Sequence, residues 1–145
     1  MGFLTGKTVI LTGGGRAVLE NGGCGSIGYG IATAYAKEGA NLVITGRNVL
    51  KLNDAKEELE RLYNVKVLPV QADISAGADN EAIASQVAKA AMDAFGRIDV
   101  LINNAQASAS GVPLANHTTE QFDLAVYSGL YASFYYMKAC YPYLK

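Results

Sequence analysis

Glycines crowd the stretch TVILTGGGRAVLENGGCGSIGYGIATAYAKEGA (8–40), and a glycine-rich turn between a strand and a helix is a device for holding phosphate. Without side chains the backbone can come close to a pyrophosphate, and the helix start aims its N–H groups and dipole at the negative charge. A literal G-x-G-x-x-G runs through Gly23, Cys24, Gly25, Ser26, Ile27 and Gly28. The pattern is informative only when it follows a strand directly and opens a helix; here residues 13–22 intervene after Thr12. The second reading places the strand-end turn at TGGG (12–15) and the helix start at SIGYGIA (26–32), with RAVLENGGC (16–24) looped out. Both glycine clusters are then used, one on each side of an insertion. The competing reading is a surface loop with accidental glycines.

In an open parallel sheet, ligands lie beyond the carboxyl ends of the strands, so the residues there carry most of the remaining functional information. After the second apolar run come Gly46 and Arg47. An NAD enzyme places Asp or Glu against the ribose 2′-hydroxyl about 20 residues beyond its glycine loop; Gly46 stands at that point and a cation follows. A guanidinium grips a 2′-phosphate bidentately, and a missing carboxylate removes repulsion against it. The expectation is NADP(H), with NAD(H) disfavoured and a purely solvated Arg47 as the alternative.

Other reactive residues offer less. His117, the sole histidine, has no Cys, Asp or Glu cluster beside it and reads as a loop or helix-start residue rather than a ligand. Cys24 and Cys140 are too few for a disulfide framework or a zinc site, so no metal is expected. Tyr141 and Lys145 spell Y-x-x-x-K, a pairing in which an ammonium one helical turn away lowers a phenol's pKa. Pro142 lies inside the pair, where it disrupts a helix interior, so no catalytic residue is assigned.

The elements that must position these residues alternate. Strand signals fall at 7–12, 41–45, 65–71 and 97–104, and helical signals at 27–39, 48–64, 80–95 and 118–145. In the first helix Ile27, Ile31, Ala34 and Tyr35 lie near helical spacing, and in the second Leu50, Ala55, Leu59 and Leu62 do. The last helix opens at Thr118 or Thr119 with a nearby acid, carries a stripe of Tyr127, Leu130, Tyr131, Phe134, Tyr135 and Tyr136 read as packing, and ends around Pro142. Four apolar strands alternating with helices require βαβ crossovers. The expected fold is therefore α/β: a doubly wound, Rossmann-type parallel sheet in three layers, stopping after the fourth strand and its following helix.

A chain of 145 residues with 50% hydrophobic and 17% charged residues is the size of one buried globular domain. Twelve Lys and Arg against thirteen Asp and Glu leave no basic excess for nucleic acid. The apolar runs are strand-sized, far below the roughly 20 residues of a membrane helix. MGFLTGKTVILTGG lacks a charged leader and cleavage site, so a cytoplasmic location is expected.

With residues 16–24 excised, the loop reads TGGGGSIG, which resembles the T-G-x-x-x-G-x-G of the short-chain dehydrogenase/reductase family, with Ser26 where the middle glycine usually sits. Asp73 and Ile74 in QADIS resemble the family's adenine-contacting Asp and its apolar neighbour; NNAQ (103–106) resembles NNAG, whose backbone lines the ribose and nicotinamide side. The resemblance implies a cofactor site at Gly13, Gly14, Ser26, Ile27, Gly28, Arg47, Asp73, Ile74, Asn104, Ala105 and Gln106. It also implies hydride transfer between a nicotinamide and a secondary alcohol or ketone, and a homo-oligomer packed through the last helix. Within the family, GRIDVLINNAQASASG and FDLAVYSGLYASFYYMKACYPYLK look most like bacterial enzymes acting on bile-acid steroids.

Three departures qualify the resemblance. Gln106 replaces a glycine, Gly129 falls where an Asn commonly organises a water of the proton relay, and the family's catalytic Ser and Tyr-x-x-x-Lys belong to elements after those seen here. The expectation is the N-terminal cofactor-binding portion of a longer enzyme. A non-catalytic nucleotide-binding module, or a piece that does not fold alone, stays open.

Overall fold

A computed structural model of the chain describes residues 2–23 and 25–144. The strands are β1 Thr8–Thr12, β2 Asn41–Gly46, β3 Val67–Gln71 and β4 Val100–Ile102. They form one parallel sheet in the order β3-β2-β1-β4. Helices α1 Ile27–Lys37, α2 Val49–Tyr63 and α3 Asn80–Phe95 make the crossovers. After β4, a continuous helical run comprises α4 Thr119–Ala125, a π-helical turn Val126–Tyr131, and α5 Ala132–Leu144. The α/β, doubly wound, three-layer architecture expected from the alternation is the one observed.

The two sheet faces take alternate side chains, as the period of two requires. Val9, Leu11, Leu42 and Ile44 face α1 and α2, whereas Ile10 and Val43 face α3 and α5. Leu52 and Leu59, fully buried from α2, each stabilise the fold by roughly 1.5–3 kcal/mol. Pro69 is tolerated because β3 is an edge strand, where one side of the backbone needs no ladder partner.

Two helix faces differ from their expected phase. On α1, Gly28, Ala32 and Ala36 are buried while Ile27 is 78% exposed and Ala34 is exposed too. The helix lies so close to β1 that only small residues fit beneath it, and the hydrophobicity of Ile27 is overruled by this approach. On α2, Leu52 joins Ala55 and Leu59 in the core, and Leu50 (80% exposed) and Leu62 face outward.

The last helix opens as expected at Thr118 with Glu120 in its first turn, and Thr118 forms a reciprocal capping box with Gln121. It continues past Pro142 to Leu144; so near the end, the proline forfeits only one of the last turn's bonds. Of the tyrosine stripe, Tyr136 enters the core, Tyr127 and Tyr131 stack with centroids 4.9 Å apart, and Phe134 and Leu130 are exposed.

Candidate functional site

The carboxyl ends of β1, β2 and β4 converge on a cleft of about 290 Å³. Gly13, Arg47, Ile74, Asn104, Ala105 and Gln106, all singled out by sequence, line it together with Thr45, Gly46, Ala72 and Ala107.

The glycine turn is built from both clusters. Gly13 has φ +78°, a left-handed conformation that favours glycine. A Cβ on Gly28 would overlap the Gly13 carbonyl oxygen, so the start of α1 rests directly on the end of β1. Ser26, eleven positions after Gly15, donates its hydroxyl to the Gly15 carbonyl at 3.1 Å and caps α1 by accepting the Tyr29 N–H. The excursion between them folds back on itself through Leu19 N–H to Gly23 O and Gly25 N–H to Ala17 O. Arg16 moors it to α2, its N–H on the Lys51 carbonyl and its guanidinium 2.9 Å from Asp54. Cys24, within the literal G-x-G-x-x-G, lies outside the described residues, as does Lys145 of the Y-x-x-x-K string.

The glycines do not share one role. The N–H groups of Gly13 and Gly14 both donate to the Thr45 carbonyl, at 2.9 and 3.0 Å, and a Cβ on Gly14 would press into Ile44. These two therefore shape the turn. The N–H groups of Ile27 and Gly28, in the first turn of α1, have no intrahelical acceptor by the geometry of any helix start, and there the dipole is positive.

Across the cleft, Arg47 is exposed just after β2, with no ion-pair partner among the described residues; its carbonyl accepts from Gln71. Asp73 accepts the N–H and hydroxyl of Ser75 through Oδ1, at 2.9 and 2.6 Å. Those bonds hold its carboxyl below the usual carboxylate range against the opposing effect of burial, with the Arg47 charge adding to the shift. Ile74 is fixed by its carbonyl, which accepts from the buried Asn80 side chain at 2.7 Å.

The segment after β4 is clamped at two points that sequence reasoning did not single out. Thr12 Oγ1 accepts the N–H groups of both Asn104 and Ala105 at 3.0 Å, while Asn104 Nδ2 donates to the Thr12 and Gly13 carbonyls. The buried Ser128 hydroxyl accepts from Ala107 N–H at 2.9 Å and donates to its carbonyl at 2.8 Å. The signal for Thr12 was its place at the head of the TGGG turn; Ser128 had none, since its partner lies 21 positions away. His117 ends a short 3₁₀ turn, Leu114–Asn116, remote from the cleft lining. No group of metal-ligating side chains occurs among the described residues, and no helix among them is long and apolar enough to cross a membrane.

This doubly wound sheet with a glycine turn at its switch point is a dinucleotide-binding architecture. Residues 16–145 match the sequence profile of the short chain dehydrogenase family, and the chain belongs to that family. Among curated relatives, it is 61% identical over 145 residues to a 12alpha-hydroxysteroid dehydrogenase of Clostridium sp., covering 100% of this chain and 53% of that one. It is 34% identical over 154 residues to hydroxysteroid dehydrogenase-like protein 2 of Homo sapiens, covering 99% and 32%. The chain thus spans about half the length, or less, of these relatives. Among solved structures, the L-sorbose reductase of Gluconobacter frateurii complexed with NADPH and L-sorbose superposes with a TM-score of 0.83 at 26% identity, covering 99% of this chain and 49% of that one. A metagenomic short-chain oxidoreductase in complex with NADP gives 0.81 at 27% identity, covering 97% and 57%.

Proposed function

We propose that residues 1–145 are the N-terminal, cofactor-binding portion of an NADP(H)-dependent oxidoreductase that interconverts a secondary alcohol and a ketone, with a bile-acid steroid hydroxyl as the substrate. The observation that carries the cofactor reading is that Gly13, on which the α1 start rests without an intervening Cβ, lines one cleft with Arg47, which has no ion pair among the described residues. These residues fit a dinucleotide. The Ile27 and Gly28 amides would hold the pyrophosphate, Arg47 would take a 2′-phosphate where Gly46 offers no competing carboxylate, Asp73 and Ile74 would flank the adenine, and Asn104 to Gln106 would border the nicotinamide side. When bound, the nicotinamide accepts or donates the hydride; the protein supplies binding and orientation.

The steroid substrate is supported by the 61% identity to the 12alpha-hydroxysteroid dehydrogenase, and NADP(H) by the NADPH and NADP held by the two structural neighbours. A homo-oligomer is supported by the exposed stripe of Leu130, Phe134, Met137 and Tyr141 along the last helix.

Titration of the whole protein with NADPH and with NADH tests the cofactor assignment. Tighter binding of NADPH is expected, with Arg47→Ala weakening NADPH by about tenfold or more, the loss of a charge-assisted contact, and leaving NADH nearly unchanged. Preference for NADH, or an indifferent variant, would refute the role given to Arg47.

A further inference from the structure

A cation at the edge of a glycine turn has two uses: to bind a phosphate directly, or to hold the turn in shape. Arg16, the first residue of the excursion, is such a cation. The residues that line the cleft do not include it. Its guanidinium instead donates to Asp54 Oδ2 at 2.9 Å and lies 5.8 Å from the centroid of the Tyr29 ring, and its Nε is shut off from solvent. These contacts join three parts of the fold. The Arg16 N–H donates to the Lys51 carbonyl, so both Lys51 and Asp54 tie it to α2. Tyr29 belongs to α1, and its own N–H donates to Ser26 Oγ at the cap of that helix. Gly15 meets α2 at the same point, where a Cβ would come within 3.2 Å of Lys51 Cβ. Lys51 in turn donates its N–H to Asn48, the cap that follows Arg47. One side chain thus links the start of α1 to the helix that begins beside Arg47.

We propose that Arg16 is a positioning residue for the cofactor: clamped between Asp54 and Tyr29, it holds the two halves of the phosphate turn together and raises dinucleotide affinity without touching phosphate. The proposal rests on the dinucleotide-binding reading. Residues 16–25 separate Gly15 from Ser26, and holding the ends of such a loop together costs conformational entropy. A clamp on the first residue of the loop meets part of that cost before any ligand arrives, which is preorganisation. Because the pyrophosphate is common to NADPH and NADH, loss of the clamp weakens both alike, whereas a residue on the 2′-phosphate discriminates between them. Asp54 gives a sharper contrast. As the other half of the clamp, it favours binding. Were Arg16 a phosphate ligand, Asp54 would compete with the phosphate for it, and removing the carboxylate would tighten binding.

The test is fluorescence titration of the whole protein with NADPH and with NADH, with thermal midpoints measured alongside. Arg16→Met keeps an apolar stem and removes the charge; it is expected to raise both dissociation constants about tenfold and leave their ratio within about twofold of wild type. Asp54→Asn, at a half-exposed position that the fold does not depend on, is expected to raise both about threefold, the scale of a partly exposed ion pair. The double variant is expected to bind no more weakly than Arg16→Met, since both changes remove the same clamp. Tighter binding in Asp54→Asn, or a loss confined to NADPH in Arg16→Met, overturns the proposal and makes Arg16 a phosphate ligand. Unchanged dissociation constants in both single variants overturn it as well, leaving a clamp that registers only in the thermal midpoint. Wild-type protein that binds neither nucleotide overturns the parent reading with it. Wild-type binding with either of the two preceding results overturns this inference alone.

Discussion

At Gly28 a single hydrogen in place of a methyl decides whether the start of α1 can rest on the end of β1. An added Cβ would overlap the Gly13 carbonyl and come within 2.7 Å of Asn104 Nδ2, and neither can retreat, because Asn104 is hydrogen-bonded to the Thr12 and Gly13 carbonyls. Gly28→Ala is therefore expected to cost about 1–3 kcal/mol in urea unfolding, the range for overpacking, and to weaken NADPH binding at least tenfold. A variant with wild-type stability and affinity would contradict this account of the turn. Gly13 and Asn104, which line the cleft, were legible in the sequence because each sits in a short motif directly after a strand, and Gly28 through the helix start on the far side of the insertion. The division of labour among the glycines was not. Gly14 is excluded from a side chain by Ile44, 30 positions on in the chain, and only β1–β2 pairing brings the two together.

At the scale of elements, alternation and strand identity could be read directly, since β-branched runs between helical stretches leave few topologies. Helix phase could not. The fully buried face of α1 is Gly28, Ala32 and Ala36; of the residues at helical spacing, Ile31 and Tyr35 pack partly against the core, whereas Ile27 and Ala34 are exposed. The π-helical turn was equally hidden: VYSGLY (Val126–Tyr131) is weak in helix propensity, but nothing in that composition separates a π turn from an ordinary one. Its continuation α5 carries two buried titrating groups. Burial pushes the Tyr136 hydroxyl up from 10.0 to about 12, the neighbouring Cys140 adding to the shift, and pushes the Cys140 thiol up from 9.0 to about 11. The folded chain thus keeps both protons at pH values where the unfolded chain has lost them. Stability from this source is intact below pH 9 and drains as pH climbs through 9 to 12, by about 1.4 kcal/mol per group per pH unit once the unfolded group has ionised. Urea midpoints measured from pH 8 to 11 should fall, and Tyr136→Phe should flatten the part above pH 10. A midpoint independent of pH over this range would contradict the buried, protonated assignment.

Across the whole molecule, the two edges of the sheet differ. Edge strand β3 carries Pro69, which guards against further pairing, whereas β4 has no strand on its outer side among the described residues. The last helical run presents Leu130 from the π-helical turn and Phe134 (53% exposed), Met137 and Tyr141 from α5 as exposed large hydrophobics. If a second copy packs on this stripe, as proposed, Phe134→Glu, which sets charge in the contact, should convert the assembly to a smaller species in sedimentation velocity. An unchanged sedimentation coefficient would remove the last helix from the interface. The proposed dinucleotide would be held where β1 passes into α1. The most direct measurement is a crystal structure of the whole protein with NADP⁺. The pyrophosphate should lie within hydrogen-bond distance of the Ile27 and Gly28 amides with the 2′-phosphate on the Arg47 guanidinium; a pyrophosphate bound away from the α1 start would contradict it.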